Sequence, residues 1–349
     1  MTISLLATRD RDTIGPCVAS VLALEHPGRL DVRIREHGDD DEQFAIIEAA
    51  VAAATPSDTM QVTLTRGENI GFARGHNAAV REGTGEFVLL VNADSELAPD
   101  FLHEALAPFV DPGVGTVQPK VLRHAAAGPG AETTIDTVGL QPSRKRLVLS
   151  RGQGRPDDGQ YDEVEEVFGA DGAVVLYRRA ALEDVAIPLR EVAGRGDQPD
   201  HDEYFDESFF IYKEDVDLAW RLASAGWKAL YVPTAKAWHV RSSRRDADAK
   251  SPRAVLAERK ARPELSRYLS FGNHRLMQVK NETARGLVRD LVPWTVYEAG
   301  TWVFFVATER RLALRSILRL LRLLPLAWRK RRLVQARRRP EADPYRFFT

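Results

Sequence analysis

"EFVLLVNAD", residues 86–94, is the stretch whose reading decides the fold. Phe87 to Val91 are apolar without interruption, so the segment has no face to offer to water. That is the pattern of a central strand of a parallel sheet, covered on both sides. Asn92 and Asp94 follow at its carboxyl end, two positions apart and therefore projecting together. Strand and helix patterns alternate outward from it. "TISLLAT" (2–8), "LDVRIRE" (30–36) and "MQVTLTR" (60–66) read as strands. "GPCVASVLAL" (15–24), "DEQFAIIEAAVAAA" (41–54), "FARGHNAAVREG" (72–83) and "PDFLHEALAPFV" (99–110) read as helices. This order predicts an α/β fold, a doubly wound and mostly parallel sheet with helices on both faces. Such sheets bind ligands at the carboxyl ends of their strands, here after residues 8, 36, 66 and 91.

Polar groups gather at those ends. Asn92 and Asp94 suit a hard divalent cation carrying a diphosphate; a turn whose Asn and Asp satisfy their own backbone fits equally well. Glu36 ends its strand where it could accept hydrogen bonds from a base or ribose, or simply begin the acidic start of the next helix. "RGENIGFARGHNAA" (66–79) sets Asn69, Arg74 and Asn77 around a helix entry whose amides could face an anion. His239 in "AWHVRS" (237–242) is either structural or the completion of a metal site begun by Asp94. "DESFFIYKEDVDLAWRLASAGW" (206–227) crowds carboxylates beside Phe209, Phe210 and Tyr212. An apolar wall there would raise a carboxylate's proton affinity and make it a usable base. A dipole-favoured helix start, with Asp217 and Arg221 as a surface pair, accounts for the local pattern equally well.

Taken together and in order, "ENIGFARGHNAA", "LLVNADSELAPDFL", "FDESFFIYKEDVDLAWRLASAGW" and "AWH" resemble the inverting family 2 glycosyltransferases, in particular their bacterial rhamnosyltransferase-like branch. The resemblance covers about residues 2–245. It implies the GT-A-like nucleotide-sugar fold and assigns roles. Asp94 and His239 would hold a divalent cation, Mg2+ or Mn2+. Asp215 would be the general base with Glu214 beside it. Thr8, Glu36, Asn69, Arg74, Asn77, Asn92 and Ala93 would line the donor site. Two departures stand out: Asn92 replaces the first acid of the family's Asp-x-Asp, and "EHGD" replaces the usual Asp-Asn-Gly-Ser at the second strand. The first implies a weaker or more donor-dependent metal site, the second an altered base selectivity. The implied partners are a nucleotide sugar and a glycan or polyprenyl-linked glycan acceptor.

The rest of the chain bounds the setting. With 349 residues, 44% hydrophobic and 28% charged, it can bury a sizeable core. A single cysteine, Cys17, excludes an internal disulfide framework and suits a reducing compartment; the N-terminus shows no leader pattern. The net charge of −1 conceals twelve of the 49 Lys and Arg within residues 310–339, which hold no acid. The remaining 37 bases face 50 acids, a net of −13. Residues 190–203 read as a mobile loop. The expected division is a catalytic domain over 1–245 and a helical C-terminal extension over 246–349. In that extension Leu314, Ile317, Leu318, Leu321 and Leu324 recur at helical spacing, with Arg315, Arg319 and Arg322 on another side and a break expected near Pro325. Trp294, Trp302, Phe304, Phe305 and Trp328 suit anchoring at a membrane interface. The expectation is a cytoplasmic enzyme, peripheral on the inner face of the membrane, with no nucleic-acid partner. A lid on the catalytic domain or a homo-oligomer contact are the other readings of this region. A nucleotidyltransferase and a non-enzymatic binder of anionic polymers are the rival functions.

Overall fold

The computed structural model describes residues 1–54, 58–124, 133–192, 200–240 and 259–349. The first half alternates as expected: β1 (Thr2–Ala7), α1 (Ile14–Leu22), β2 (Leu30–His37), α2 (Asp41–Ala53), β3 (Met60–Gly67), α3 (Phe72–Glu82), β4 (Phe87–Asn92). A short β5 (Ser95–Leu97), α4 (Phe101–Leu106) and the long β6 (Val114–Arg123) follow. Then come β7 (Ile135–Thr137), the hairpin β8 (Leu140–Pro142) and β9 (Val148–Ser150), β10 (Glu165–Val167), β11 (Val174–Arg178) and α5 (Arg179–Val185). The catalytic half closes with β12 (Ile187–Pro188), α6 (Leu189–Val192), β13 (Asp202–Glu203), α7 (Glu214–Ser224) and β14 (Lys228–His239). The segment expected to be a loop over 190–203 therefore carries structure at both ends. Its residues 193–199, and the expected domain boundary at 245, lie outside the described residues.

The sheet runs β10-β14-β6-β11-β4-β1-β2-β3. β1, β2, β3 and β4 are mutually parallel, and β6 and β14 pair in parallel beyond them. β11 is inserted antiparallel between β4 and β6, so the sheet is mixed but mostly parallel. Both faces are covered, which is why β4 is apolar throughout. Leu89 and Val91 pack with α1, α2 and α4. Val88 and Leu90 pack with α3, α5 and α7.

The C-terminal region is helical, as expected: α8 (Glu264–Asn281), α9 (Ala284–Arg289), α10 (Leu291–Thr308) and α11 (Arg310–Ala336). These helices do not stand apart. Leu276, Met277, Ala327, Tyr345 and Phe348 share one core with Phe168, Val216 and Trp220 of the sheet half. α11 is not broken at Pro325, which it carries inside the helix. Proline removes one intrahelical donor there, and burial of Ala327, Lys330 and Val334 beyond it keeps the helix docked. Three of the expected interface aromatics also turn inward. Phe305 is fully buried and stacks on Phe271, Trp302 meets Phe271 edge-on, and the Trp294 indole donates to Gln278 (2.6 Å).

The two halves are joined by buried charge. Asp206 accepts from Lys280 of α8 and from Lys330 of α11 (2.6 Å). Lys330 also pairs with Glu203 (2.5 Å), and Lys280 with Asp217 of α7 (2.9 Å). Burial pushes Asp206 toward the neutral acid, but the two ammonium groups outweigh it and hold its carboxyl well below the usual range. Asp217 and Arg221 are correspondingly not a surface pair. Both are buried, because α8 covers them and Asn281 donates to Asp217 (2.7 Å). Breaking such a network leaves unpaired charge in the interior. Asp206→Ala is expected to lower unfolding stability by about 3–5 kcal/mol, read from denaturant midpoints at pH 7.

Candidate active site

The parallel strands end on one edge, and their register gathers the polar residues found in the sequence. Ala7 pairs with Glu36 across β1 and β2, and Leu6 with Asn92 across β1 and β4. β14 reaches the same edge because it pairs with β5, setting His239 opposite Ser95, the residue after Asp94. The Val240 amide donates to the Asp94 carbonyl (2.8 Å) and locks that approach. His239 Nε2 lies 3.0 Å from Asp94 Oδ1, and its Nδ1 lies 2.8 Å from Asp136 Oδ2. Asp136, on β7, is fully buried. Burial pulls the imidazole pKa down, but hydrogen bonds to Asp136 and Asp94 prevail and push it up to about 9.

Asn92, Asp94 and His239 line a cavity of ≈560 Å³ together with Glu214 and Asp215 at the start of α7. Asp171, on the loop before β11, lines it too. That loop is pulled in by the Asn92 amide donating to the Ala173 carbonyl (2.8 Å) and by the Ser150 hydroxyl donating to Asp171 (2.6 Å). Burial is the main cause that raises Asp215, to about 6, followed by repulsion from Asp171. Burial and repulsion from Asp215 raise Glu214 well above the usual range. Of the pair, Glu214 is therefore the one whose neutral form is more strongly favoured. Of the three expected apolar neighbours only Tyr212 lines the cavity, joined by Phe72. Phe209 is buried in the core, and Phe210 packs over Gly71, where a Cβ would lie 2.6 Å from its ring.

The segment that delivers Glu214 and Asp215 is strained. Phe210, Tyr212 and Lys213 have φ of 66, 73 and 77°, a conformation costing on the order of 1–3 kcal/mol for each such residue. Asn273 of α8 holds it: its Nδ2 lies 2.9, 2.9 and 2.8 Å from the carbonyls of Phe209, Ile211 and Tyr212. The placement of Glu214 and Asp215 thus depends on a residue more than fifty positions downstream.

The donor-lining residues divide. Asn92 lines the cavity with Asp94, whereas Ala93 between them is buried in the core and does not line it. Thr8 lies at the end of β1, where its amide donates to Asp10 (2.5 Å). Asp10, raised to about 6 by burial and by Asp94 nearby, was not singled out in the sequence. Glu36 shares the edge but is buried and already accepts from Gln43 (3.3 Å) and Arg66 (3.2 Å). Neither Thr8 nor Glu36 lines the cavity, and Asn69, Arg74 and Asn77 do not reach it either. Asn77 is buried and spends its amide on Tyr204, Phe205 and Glu207. Arg74 turns to Glu207 (3.2 Å), and Asn69 accepts from the Gly71 amide (2.9 Å). Asn77 and Arg74 thus serve to hold the segment before α7. Asp136 and Asp171 were missed because each is a lone acid in a turn-rich stretch, with no local pattern to mark it.

A family model described as "Glycosyltransferase like family 2" matches residues 3–262. The chain belongs to this family. Its relatives include an N-acetylglucosaminyltransferase of Rhizobium meliloti, 24% identical over 65% of this chain and 47% of that protein. An N-acetylglucosaminyl-diphospho-decaprenol L-rhamnosyltransferase of Mycobacterium tuberculosis is 57% identical over 35 residues, 10% of this chain and 11% of that one. The chain spans about half the length of the N-acetylglucosaminyltransferase. Among solved structures, the mannosyltransferase PcManGT of Pyrobaculum calidifontis, in complex with GDP-Man and Mn2+, superposes with TM-score 0.50 at 15% identity. The superposition covers 96% of this family 2 chain and 85% of PcManGT, and it establishes a shared fold.

Should Asp215 act as the general base, it must be ionised, and the acid limb of the pH–rate profile then reports it. That limb is expected near pH 6, with activity falling below it. Asp171→Asn removes a repelling charge and should move the limb to lower pH, measured as kcat/KM between pH 4.5 and 8.

Proposed function

We propose that the protein is an inverting glycosyltransferase that moves a sugar from a nucleotide-diphosphate donor to a hydroxyl of a glycan or lipid-linked glycan. One observation carries this reading: a single cleft sets an ionisable base, Asp215, across from the Asp94–His239 pair at the strand ends. The Asp215 carboxylate takes the proton of the acceptor hydroxyl. The oxygen bonds to the anomeric carbon as the bond to the diphosphate breaks, and the electron pair leaves with the nucleoside diphosphate. One displacement inverts the configuration. Burial and the charge of Asp215 favour the neutral form of Glu214 beside the base.

Asp94 and His239 fit a divalent cation, Mg2+ or Mn2+. Among the described residues no three His, Cys, Asp or Glu side chains converge on one point. A cation here would therefore take two protein ligands and complete its shell with diphosphate oxygens and water, as Mg2+ commonly does. Asp136 on Nδ1 orients the ring so that Nε2 faces Asp94, the usual support of a metal-bound imidazole. When bound, the cation would offset charge growing on the leaving diphosphate. The complexes of PcManGT with GDP-Man and Mn2+, and of GalNAc-T7 with UDP, GalNAc and Mn2+, support this donor chemistry.

The donor proposed is a rhamnosyl nucleotide, on the strength of the 35-residue match. The longer similarity to N-acetylglucosaminyltransferases favours UDP-N-acetylglucosamine as the second candidate. The acceptor proposed is a glycan on a polyprenyl diphosphate, made at the cytoplasmic face of the membrane in cell-surface polysaccharide synthesis. No helix among the described residues is long and apolar enough to cross a membrane. α11 instead leaves Leu314, Leu318, Leu321, Leu324 and Trp328 exposed, an apolar stripe on a basic helix. This arrangement suits docking on anionic lipid.

Two measurements test the proposal. Incubation with each nucleotide sugar and Mg2+ or Mn2+ should release a nucleoside diphosphate, not pyrophosphate. Asp215→Asn should lower that rate by about 10²–10⁴-fold without loss of folded protein by circular dichroism. Wild-type protein should float with vesicles containing anionic lipid. The triple variant Leu314→Glu, Leu318→Glu, Leu321→Glu, altered only at exposed positions, should remain in the pellet fraction.

A further inference from the structure

A second cavity, of ≈750 Å³, opens off the catalytic cleft and shares Leu147, Leu149, Arg259, Arg262, Tyr297 and Thr301 with it. One wall is the β8–β9 hairpin, through Leu147 and Leu149. The other is one face of α10, where Val296, Tyr297, Gly300 and Phe304 recur at helical spacing. Gly300 leaves this wall open: a Cβ there would meet nothing within 4 Å. Val296 is 69% exposed, and Val292 and Val303 on the same helix are exposed to a similar degree. The groove is thus apolar along its length and continues onto an apolar helix surface.

Its junction with the catalytic cleft is cationic. Arg259 and Arg262 line both cavities there, and Lys145 lines the groove itself. Arg259 is fixed by Glu309 (2.7 Å) and lies 4.9 Å over the Phe305 ring, so its guanidinium is held in place. A ligand that fits has three parts in order: a hydroxyl at Asp215, an anionic linker at the arginines and a hydrocarbon along α10. We propose that this groove is the subsite for the diphosphate and hydrocarbon chain of a polyprenyl-diphosphate-linked acceptor. The assignment rests on the transferase reading above and adds where the lipid part lies.

The test is calorimetric titration of the full chain with farnesyl diphosphate, inorganic diphosphate and UDP. Wild-type protein should bind farnesyl diphosphate at least tenfold more tightly than inorganic diphosphate. Val296→Glu, at an exposed position, and Gly300→Trp, which fills the open wall, should each weaken farnesyl diphosphate at least tenfold. Neither should change the affinity for inorganic diphosphate or UDP. Equal affinity for the two diphosphates, or farnesyl diphosphate binding unchanged in both variants, overturns the groove assignment. Nucleoside diphosphate release from nucleotide sugars is scored on the same wild-type preparation. Its absence overturns the transferase reading and not the prenyl discrimination, so the two failures are told apart.

Discussion

The buried carboxylate of Asp206, bonded at once to Lys280 and Lys330, is the constraint on which the rest of the molecule depends. Asp206 begins the turn that leads to the catalytic-base segment, and its Oδ1 accepts from the Ser208 amide (3.0 Å). The lysines arrive from α8 and α11. A charge taken out of water tolerates little displacement, since any lost partner leaves it unpaired in a poorly polarisable interior. The C-terminal helices are therefore not a lid laid on a finished enzyme. They fix the depth at which Phe210, Tyr212 and Lys213 adopt their left-handed conformations, and Asn273 then holds the carbonyls of that segment.

That fixation explains why two adjacent carboxylates differ. Glu214 is buried at the helix start with one oxygen lacking a partner, whereas Asp215 is half-buried, accepts from the Val216 amide (2.7 Å) and lines the cavity. Both are raised chiefly by burial; the charge of Asp215 raises Glu214 further, and that of Asp171 raises Asp215. Asp171 adds a third carboxyl side chain on the same wall. An acidic cleft of this kind gains from a cation or from the cationic rim contributed by the region around Arg259 and Arg262.

α11 sends some of its cations inward: Arg319 donates to the Ser208 carbonyl (2.6 Å), and Arg331 to the carbonyls of Val279 and Glu282 (2.6 and 2.7 Å). Arg315, Arg322, Arg329 and Arg332 are exposed. Its leucines divide as well: Leu312 is buried and Leu320 and Leu323 pack against the core, whereas Leu314, Leu318, Leu321 and Leu324 face outward. The −13 charge of the remaining chain favours the inward cations.

The alternation of strands and helices and the acids at the strand ends were legible in the sequence, because an uninterrupted apolar run such as Phe87–Val91 and period-two alternation are local properties of a strand; the antiparallel insertion of β11 was not. Asn92, Asp94, His239 and the Glu214–Asp215 pair stood at predictable element ends, so topology alone brought them to one edge. What tertiary structure decided was which polar groups remained available. Asn77 looked like a ligand residue but satisfies the backbone of Tyr204 and Phe205, and Asp217 and Arg221 looked exposed until α8 covered them. Asp136, Asp171 and Asn273 had no local pattern; their roles follow from contacts spanning 103 residues from Asp136 to His239 and 64 from Asn273 to Phe209. Sequence determines which side chains share a strand end or a helix face. Burial, pairing and proton affinity depend on neighbours from distant segments, and only the packed chain supplies them.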